Sequence, residues 1–227
     1  MMTENISDLI RQRIIRSGDS YFANHNISKY IYENEVELLI DEVTEKYEAV
    51  LKSLIIDTAN DHNTQDTARR VAKMMVKEIF SGRYQEMPKV TSFPNINQYE
   101  GIMVAGPVSI RSTCAHHMQN ITGKAYVGIF PGKTVIGLSK FNRIIDWVSS
   151  RPQIQEEMTV QIADAIEQET KAEGVAILVK ASHGCMTARG VKEHDSDLTT
   201  VVLRGVFKQD NSNTLKQEFY ELVSRMS

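Results

Sequence analysis

Residues 123–148 read GKAYVGIFPGKTVIGLSKFNRIIDWV, and one periodicity replaces another within them. GKAYVGIF at 123–130 is rich in β-branched and aromatic residues and reads as a strand, with VIGLS at 135–139 a second, short one. From Lys140 the apolar residues Phe141, Ile144, Ile145 and Val148 recur at helical spacing, with Ser139 placed to cap the helix. Upstream, residues 101–113 form another strand candidate, punctuated by Asn120-Ile-Thr-Gly123. Downstream, Pro152 suits the opening turn of a second helix whose core face is Ile154, Met158, Ile162 and Ala165, with Gly174 ending it. GVAILVKASHGCM (174–186) and LTTVVLRGVF (198–207) are further strands, and Leu215, Phe219 and Leu222 mark a closing helix. Strands in runs separated by paired helices predict an α+β fold with an antiparallel sheet.

The N-terminal part follows helical grammar. Residues 3–17 form a weakly amphipathic helix candidate. From Glu35, the set Val36, Leu39, Ile40, Val43, Tyr47, Val50, Leu51 and Leu54 keeps i, i+3, i+4, i+7 spacing. DHNTQDTARR at 61–70 offers Asn63, Thr64 and Asp66 as caps for a helix facing inward through Ala68, Val71, Ala72, Met75 and Ile79. The expected division is a helical extension over 1–60 and the α+β domain over 61–227.

Composition narrows the function. Apolar residues make up 41% and charged residues 24% of the 227, which supports a substantial core. Lys plus Arg is 26 against 29 Asp plus Glu, so no overall positive field draws in nucleic acid and a polyanion needs local cations. No apolar run reaches membrane-spanning length, and MMTENISDLIRQRI carries carboxylates where a signal peptide needs an apolar stretch. Two cysteines cannot form a disulfide framework. The expectation is a cytoplasmic protein with reduced cysteines, without a nucleic-acid or membrane partner.

Chemistry concentrates in two windows, Cys114-Ala-His116-His117 and His183-Gly-Cys185, each at the end of an expected strand. Cys114, His117 and Cys185 together would give a metal ion three protein ligands and leave a fourth place for water, whose pKa falls towards ~7. His116 and His183 would then be free for proton transfer. Strand alternation puts residues 114 and 117 on opposite faces, so the site requires a turn there. Two structural cysteines and scattered histidines account for the same spacing, and both readings stay open on spacing alone. Lys140 and Arg143 share a helical face beside Ser139, an anion site at a helix N-terminus, and Arg189 and Arg70 add cations; solvated surface charge is the plainer account of each. Glu156, after Gln155, offers two acceptor oxygens that match the paired N–H donors of guanine, or simply favours the helix dipole.

CAHH at 114–117, GKAYVGIFP at 123–131, VIGLSKFNRI at 135–144, RPQIQE at 151–156, HGCMTARG at 183–190 and GVFK at 205–208 resemble, in order and spacing, the GTP cyclohydrolase I family. The resemblance runs from about residue 35 to the end and is strongest over 110–207. It implies a tunnelling fold (T-fold), in which subunits join antiparallel sheets into a ring, and a toroidal homodecamer of two pentamers with sites at subunit boundaries. The implied reaction is GTP plus water to 7,8-dihydroneopterin triphosphate and formate, the entry to pterin and folate synthesis, beginning with attack of water on C8 of the purine. Cys114, His117 and Cys185 match the Zn2+ ligands, and His116 and His183 match the acid–base histidines. Gln155 and Glu156 match the guanine-holding positions, while Ser139, Lys140, Arg143, Arg189 and Arg70 match positions near ribose and triphosphate.

Ala115 departs from the family pattern, which usually places a glutamate between the cysteine and the first histidine. Thr187 and Arg204 are milder departures. A carboxylate at 115 could orient a neighbour or tune a histidine. Its loss admits an alternative, a zinc-binding T-fold paralogue that holds a purine or pterin without full turnover. The retained His116, His183 and Glu156 favour a working enzyme. A T-fold reductase with a cysteine nucleophile fits poorly, because both cysteines fall on zinc positions.

Overall fold

The computed structural model describes residues 5–209 and 211–226. The chain divides into two compact units, Met1–Glu86 and Met87–Ser227.

The first unit is helical. α1 (Ile6–Arg16) and α2 (Glu35–Ser53) are followed by α3 (Thr67–Met74), a π-helical turn at Met75–Ile79 and the short α4 (Ser81–Tyr84). α2 buries Leu39, Ile40 and Leu51 as its periodicity predicts, but Val50 and Leu54 at its end stay exposed. The expected caps do not form: Asp66 stands at the N-cap of α3 without a side-chain cap bond and pairs instead with Arg70, 3.4 Å away. The buried line is Ala68, Ala72, Val76 and Phe80, so Met75 and Ile79 give up their expected places. Spacing of four drifts around an α-helix, and the wider π turn offsets that drift. Ile10, Ile14 and Ile27 pack as a second small cluster. Between α1 and α2, Arg13 forks onto Glu35 with two 2.6 Å contacts.

The second unit carries the sheet. β1 (Ser92–Pro94) pairs with β4 (Thr134–Ile136). The main sheet has the order β5 (Pro152–Gln153), β2 (Met103–Cys114), β3 (Asn120–Phe130), β6 (Gly174–His183), β7 (Asp197–Gly205). Its long pairs are all antiparallel; β5 adds a short parallel pairing at the end of β2. α5 (Leu138–Ser149) and α6 (Gln155–Thr170) cover one face, α7 (Gly184–Thr187) and α8 (Val206–Gln209) follow β6 and β7, and α9 (Thr214–Met226) closes the chain.

Alternation in β3 and β6 explains why both read as nearly continuous apolar runs. Ile121, Ala125, Val127, Ile129, Val175, Ile177 and Val179 meet Ile144, Ile145, Met158 and Ile162 of the helical pair. Tyr126 and Ala176 point the other way, towards Phe207, Phe219 and Val223. At Gly123 a Cβ would stand 2.1 Å from Lys180 O and 2.5 Å from Ala181 Cα, so only glycine lets β3 and β6 approach there. Arg204 of β7 ties to Asp164 of α6 at 2.6 Å.

Three local expectations are corrected. VIGLS is a strand only to Ile136, and the helix starts at Leu138 with Gly137 as N-cap, so Ser139 lies within the first turn and caps nothing. Pro152 belongs to β5, whose pairing with Thr113 holds it extended, and α6 begins at Gln155. Asn120 opens β3, so the reversal after β2 lies before it, at residues 115–119.

Candidate metal centre

The site forms where the ends of β2 and β6 meet the start of β3. β2 runs into Cys114 and the chain reverses at once: Cys114 N donates to Gln119 O at 2.8 Å, and Met118 N to Cys114 O at 2.9 Å. Met118 takes a left-handed φ of 54° to complete the turn. This reversal removes the strand alternation that would have separated Cys114 from His117. The pairing of Ile121 with His183 brings the end of β6 beside the start of β3, and α7 begins there. Gly184 permits that approach, since a Cβ would lie only 3.2 Å from Asn120 O.

One ligand atom from each of Cys114, His117 and Cys185 lies within 4.8 Å of the others. Cys114 is buried, Cys185 half-buried and His117 exposed, so the cluster has a closed wall and an open side. Burial pushes the Cys185 thiol above its ordinary range, and the nearby Cys114 pushes in the same direction, while Arg189 opposes them. A cation relieves this, because a metal ion favours the Cys185 thiolate that burial disfavours. The donor set, two soft sulfurs and an imidazole, fits a transition-metal ion.

The other two histidines flank the cluster differently. His116 is exposed, with Nδ1 3.9 Å from Cys114 Sγ. His183 is half-buried; burial holds its pKa below the ordinary value, partly countered by the negative charge of Glu156 in the first turn of α6. Its Nε2 lies 2.8 Å from Oε1 of Gln155. Gln155 is fully buried, and its amide nitrogen lies 3.2 Å from Val179 O, 2.9 Å from Leu198 O and 3.1 Å from Thr200 Oγ1. Thr159 Oγ1 donates to Gln155 O at 2.7 Å and meets Thr200 Oγ1 at 2.6 Å. Sequence reasoning singled out Gln155 but neither threonine, which look like ordinary strand and helix residues 41 positions apart.

The remaining candidates are dispersed. Ser139 and Arg143 are exposed on α5, where Arg143 lines a cleft of about 420 Å³ with Arg111, Ser109 and Asp146. Lys140 Nζ reaches Lys89 O at 3.4 Å. Arg189 lies exposed beyond α7, and Arg70 belongs to the first unit. Among the described residues, no hydrogen bond or ion pair joins Ser139, Lys140 or Arg143 to the Cys/His cluster.

Comparison with known proteins decides the family. The sequence profile described as GTP cyclohydrolase I matches residues 43–224. The chain belongs to the GTP cyclohydrolase I family. Three relatives carry the name GTP cyclohydrolase 1. That of Haemophilus ducreyi is 37% identical over 88% of this chain and 93% of its own length. That of Flavobacterium johnsoniae is 36% identical over 91% and 92%. That of Wigglesworthia glossinidia brevipalpis is 39% identical over 86% and 82%. The α+β architecture is therefore the T-fold of GTP cyclohydrolase I. Every candidate site residue, from Arg70 to Arg189, falls within the matched span.

Proposed function

We propose that this chain is a zinc-dependent GTP cyclohydrolase I, converting GTP and water to 7,8-dihydroneopterin triphosphate and formate. The observation that carries this reading is the convergence of Cys114, His117 and Cys185 in a chain of this family. Those three residues would hold the Zn2+, which supplies Lewis acidity and brings the pKa of a water towards ~7. His116 and His183 stand beside them with imidazoles suited to moving protons as the purine ring opens. Burial lowers the pKa of His183 and so favours the neutral imidazole, the form able to accept a proton.

Substrate residues follow from the family pattern. Glu156 is exposed in the first turn of α6, where its carboxylate can meet the N–H edge of guanine. Gln155 holds the neighbouring position in that pattern. Ser139, Lys140, Arg143, Arg189 and Arg70 are assigned to ribose and triphosphate, with residues 1–60 as extension and 61–227 as catalytic domain. No helix among the described residues is long and apolar enough to cross a membrane. A toroidal homodecamer suits the sheet: among the described residues β7 pairs only with β6, and β2 is paired on its outer side only at Thr113 and Cys114.

The test is formate release and pterin fluorescence from GTP incubated with zinc-loaded protein. Both signals should appear, and Cys185→Ala should abolish both along with stoichiometric zinc. GTP binding without either product would overturn the reading and leave a zinc-bearing paralogue, for which Ala115 would be the first residue to restore to glutamate.

A further inference from the structure

The hydrogen bonds around Gln155 have only one consistent direction. Its amide nitrogen faces two backbone carbonyls, Val179 O and Leu198 O. A flipped amide would set its oxygen against both, so the nitrogen must lie on that side. The amide oxygen therefore faces His183 Nε2 at 2.8 Å, and only a protonated Nε2 can satisfy it. The threonines agree. Thr159 spends its single hydroxyl proton on Gln155 O, so Thr200 must donate to Thr159 and accept from the Gln155 amide. The ring Gln155 amide, Thr200, Thr159, Gln155 backbone closes in one direction, the two amide N–H groups being shared among three acceptors, Val179 O, Leu198 O and Thr200 Oγ1.

We propose that Gln155 is a positioning residue for His183: it orients the imidazole as the Nε2–H tautomer, with Nε2–H donated to the Gln155 amide oxygen and Nδ1 turned away from it. Among the described residues Nδ1 makes no hydrogen bond, so its lone pair is available. The amide sits on β6 and β7 backbone rather than on another flexible side chain, which removes rotational freedom from the imidazole at the cluster's edge. The proposal rests on the enzymatic reading for its consequence, but not for its geometry. It gives Gln155 a task beyond the guanine-holding position of the family pattern: its amide nitrogen is engaged within the chain, and its amide oxygen meets His183.

The test uses zinc-loaded, 15N-histidine-labelled full-length protein at about pH 8, where imidazole is neutral. Magic-angle-spinning NMR reads the two ring nitrogens of His183, assigned by the signal lost in His183→Ala. The expected result is a protonated Nε2 and an unprotonated Nδ1 in the wild type, and a mixture of tautomers in Gln155→Met. Turnover of Gln155→Met should fall about 10- to 100-fold in kcat with KM little changed. A protonated Nδ1 in the wild type overturns the proposal even where the variant fails to fold. So does a Gln155→Met enzyme with raised KM and intact kcat, the pattern of a lost guanine contact. If the wild type releases no product from GTP, the proposed function falls, and the imidazole spectrum alone decides the positioning role.

Discussion

Gly123 and Gly137 are both glycines in the stretch that sets the fold, yet they answer to different physics. At Gly123 a Cβ meets the backbone of the neighbouring strand, at Lys180 O and Ala181 Cα, neither of which can rotate away. At Gly137 φ is −66°, and a Cβ meets nothing within 4 Å. Gly123→Ala should therefore cost about 1–3 kcal/mol by prising β3 from β6, whereas Gly137→Ala should stay within about 0.5 kcal/mol. Urea unfolding of the two variants beside the parent checks the contrast. Zinc content adds a second readout. Two residues before Gly123, Ile121 is paired with His183, so the shift in Gly123→Ala should also loosen Cys185. Cys114, His117 and Cys185 were visible in the sequence as candidates only: spacing left them open beside structural cysteines, the family resemblance picked them out, and the structure brings their ligand atoms within 4.8 Å of one another. The turn joining them was not, since it lacks Gly and Pro and uses Met118 in a left-handed conformation. The partners of Gln155 were also hidden, lying 24 to 45 residues away on other elements.

At the scale of elements, periodicity proved a good guide to existence and a weaker one to ends. α2, α5, α6 and α9 and the four long strands lie where their apolar spacing puts them. β5 was read as helix because two residues hold no periodicity, and it is its neighbour β2 that keeps Pro152 extended. In the first unit, Arg13 and Glu35, partners 22 residues apart, tie α1 to α2 beside the Ser7–Glu42 hydrogen bonds. The Arg13 guanidinium holds the Glu35 carboxyl below the ordinary carboxylate range. A carboxyl lowered in the folded state stabilises it fully above its unfolded pKa, and that contribution is lost as pH falls through the folded value. Arg13→Met should thus lower stability by about 1 kcal/mol near neutrality. The gap between variant and parent should narrow as pH drops below about 4.3, the ordinary pKa of a glutamate. A residue of the gap should persist at low pH, because Arg13 also donates to Tyr30 O and stacks 3.9 Å from the Tyr32 ring. Thermal unfolding across pH 3–7, roughly the window these groups titrate in, measures both parts. A gap independent of pH would remove Glu35 from the account.

At the scale of the molecule, the single chain leaves its main sheet unfinished. Among the described residues β7 turns one side to β6 and has no partner on the other, and the long outer side of β2 is paired only at its last two residues. Unpaired strand edges of this length template association unless they are covered or charged. Their presence on opposite borders of one sheet suits head-to-tail joining, in which β7 of one copy meets β2 of the next and the ring closes. The proposed substrate cations give the same argument from chemistry. Ser139, Lys140 and Arg143 lie on α5 without a described bond to the Cys/His cluster, so a site assembled at a subunit boundary would draw cations and metal ligands from different copies. Ten chains of 25.7 kDa make a particle of about 257 kDa. Sedimentation velocity of the zinc-loaded protein should show that species, and specific activity should fall on dilution as it dissociates. Mixing Cys185→Ala with Arg143→Ala, each inactive alone, should restore part of the activity if the two residues of one site come from neighbouring copies. A fully active particle of 25.7 kDa would break the argument, because both sheet edges would then be open in the working enzyme.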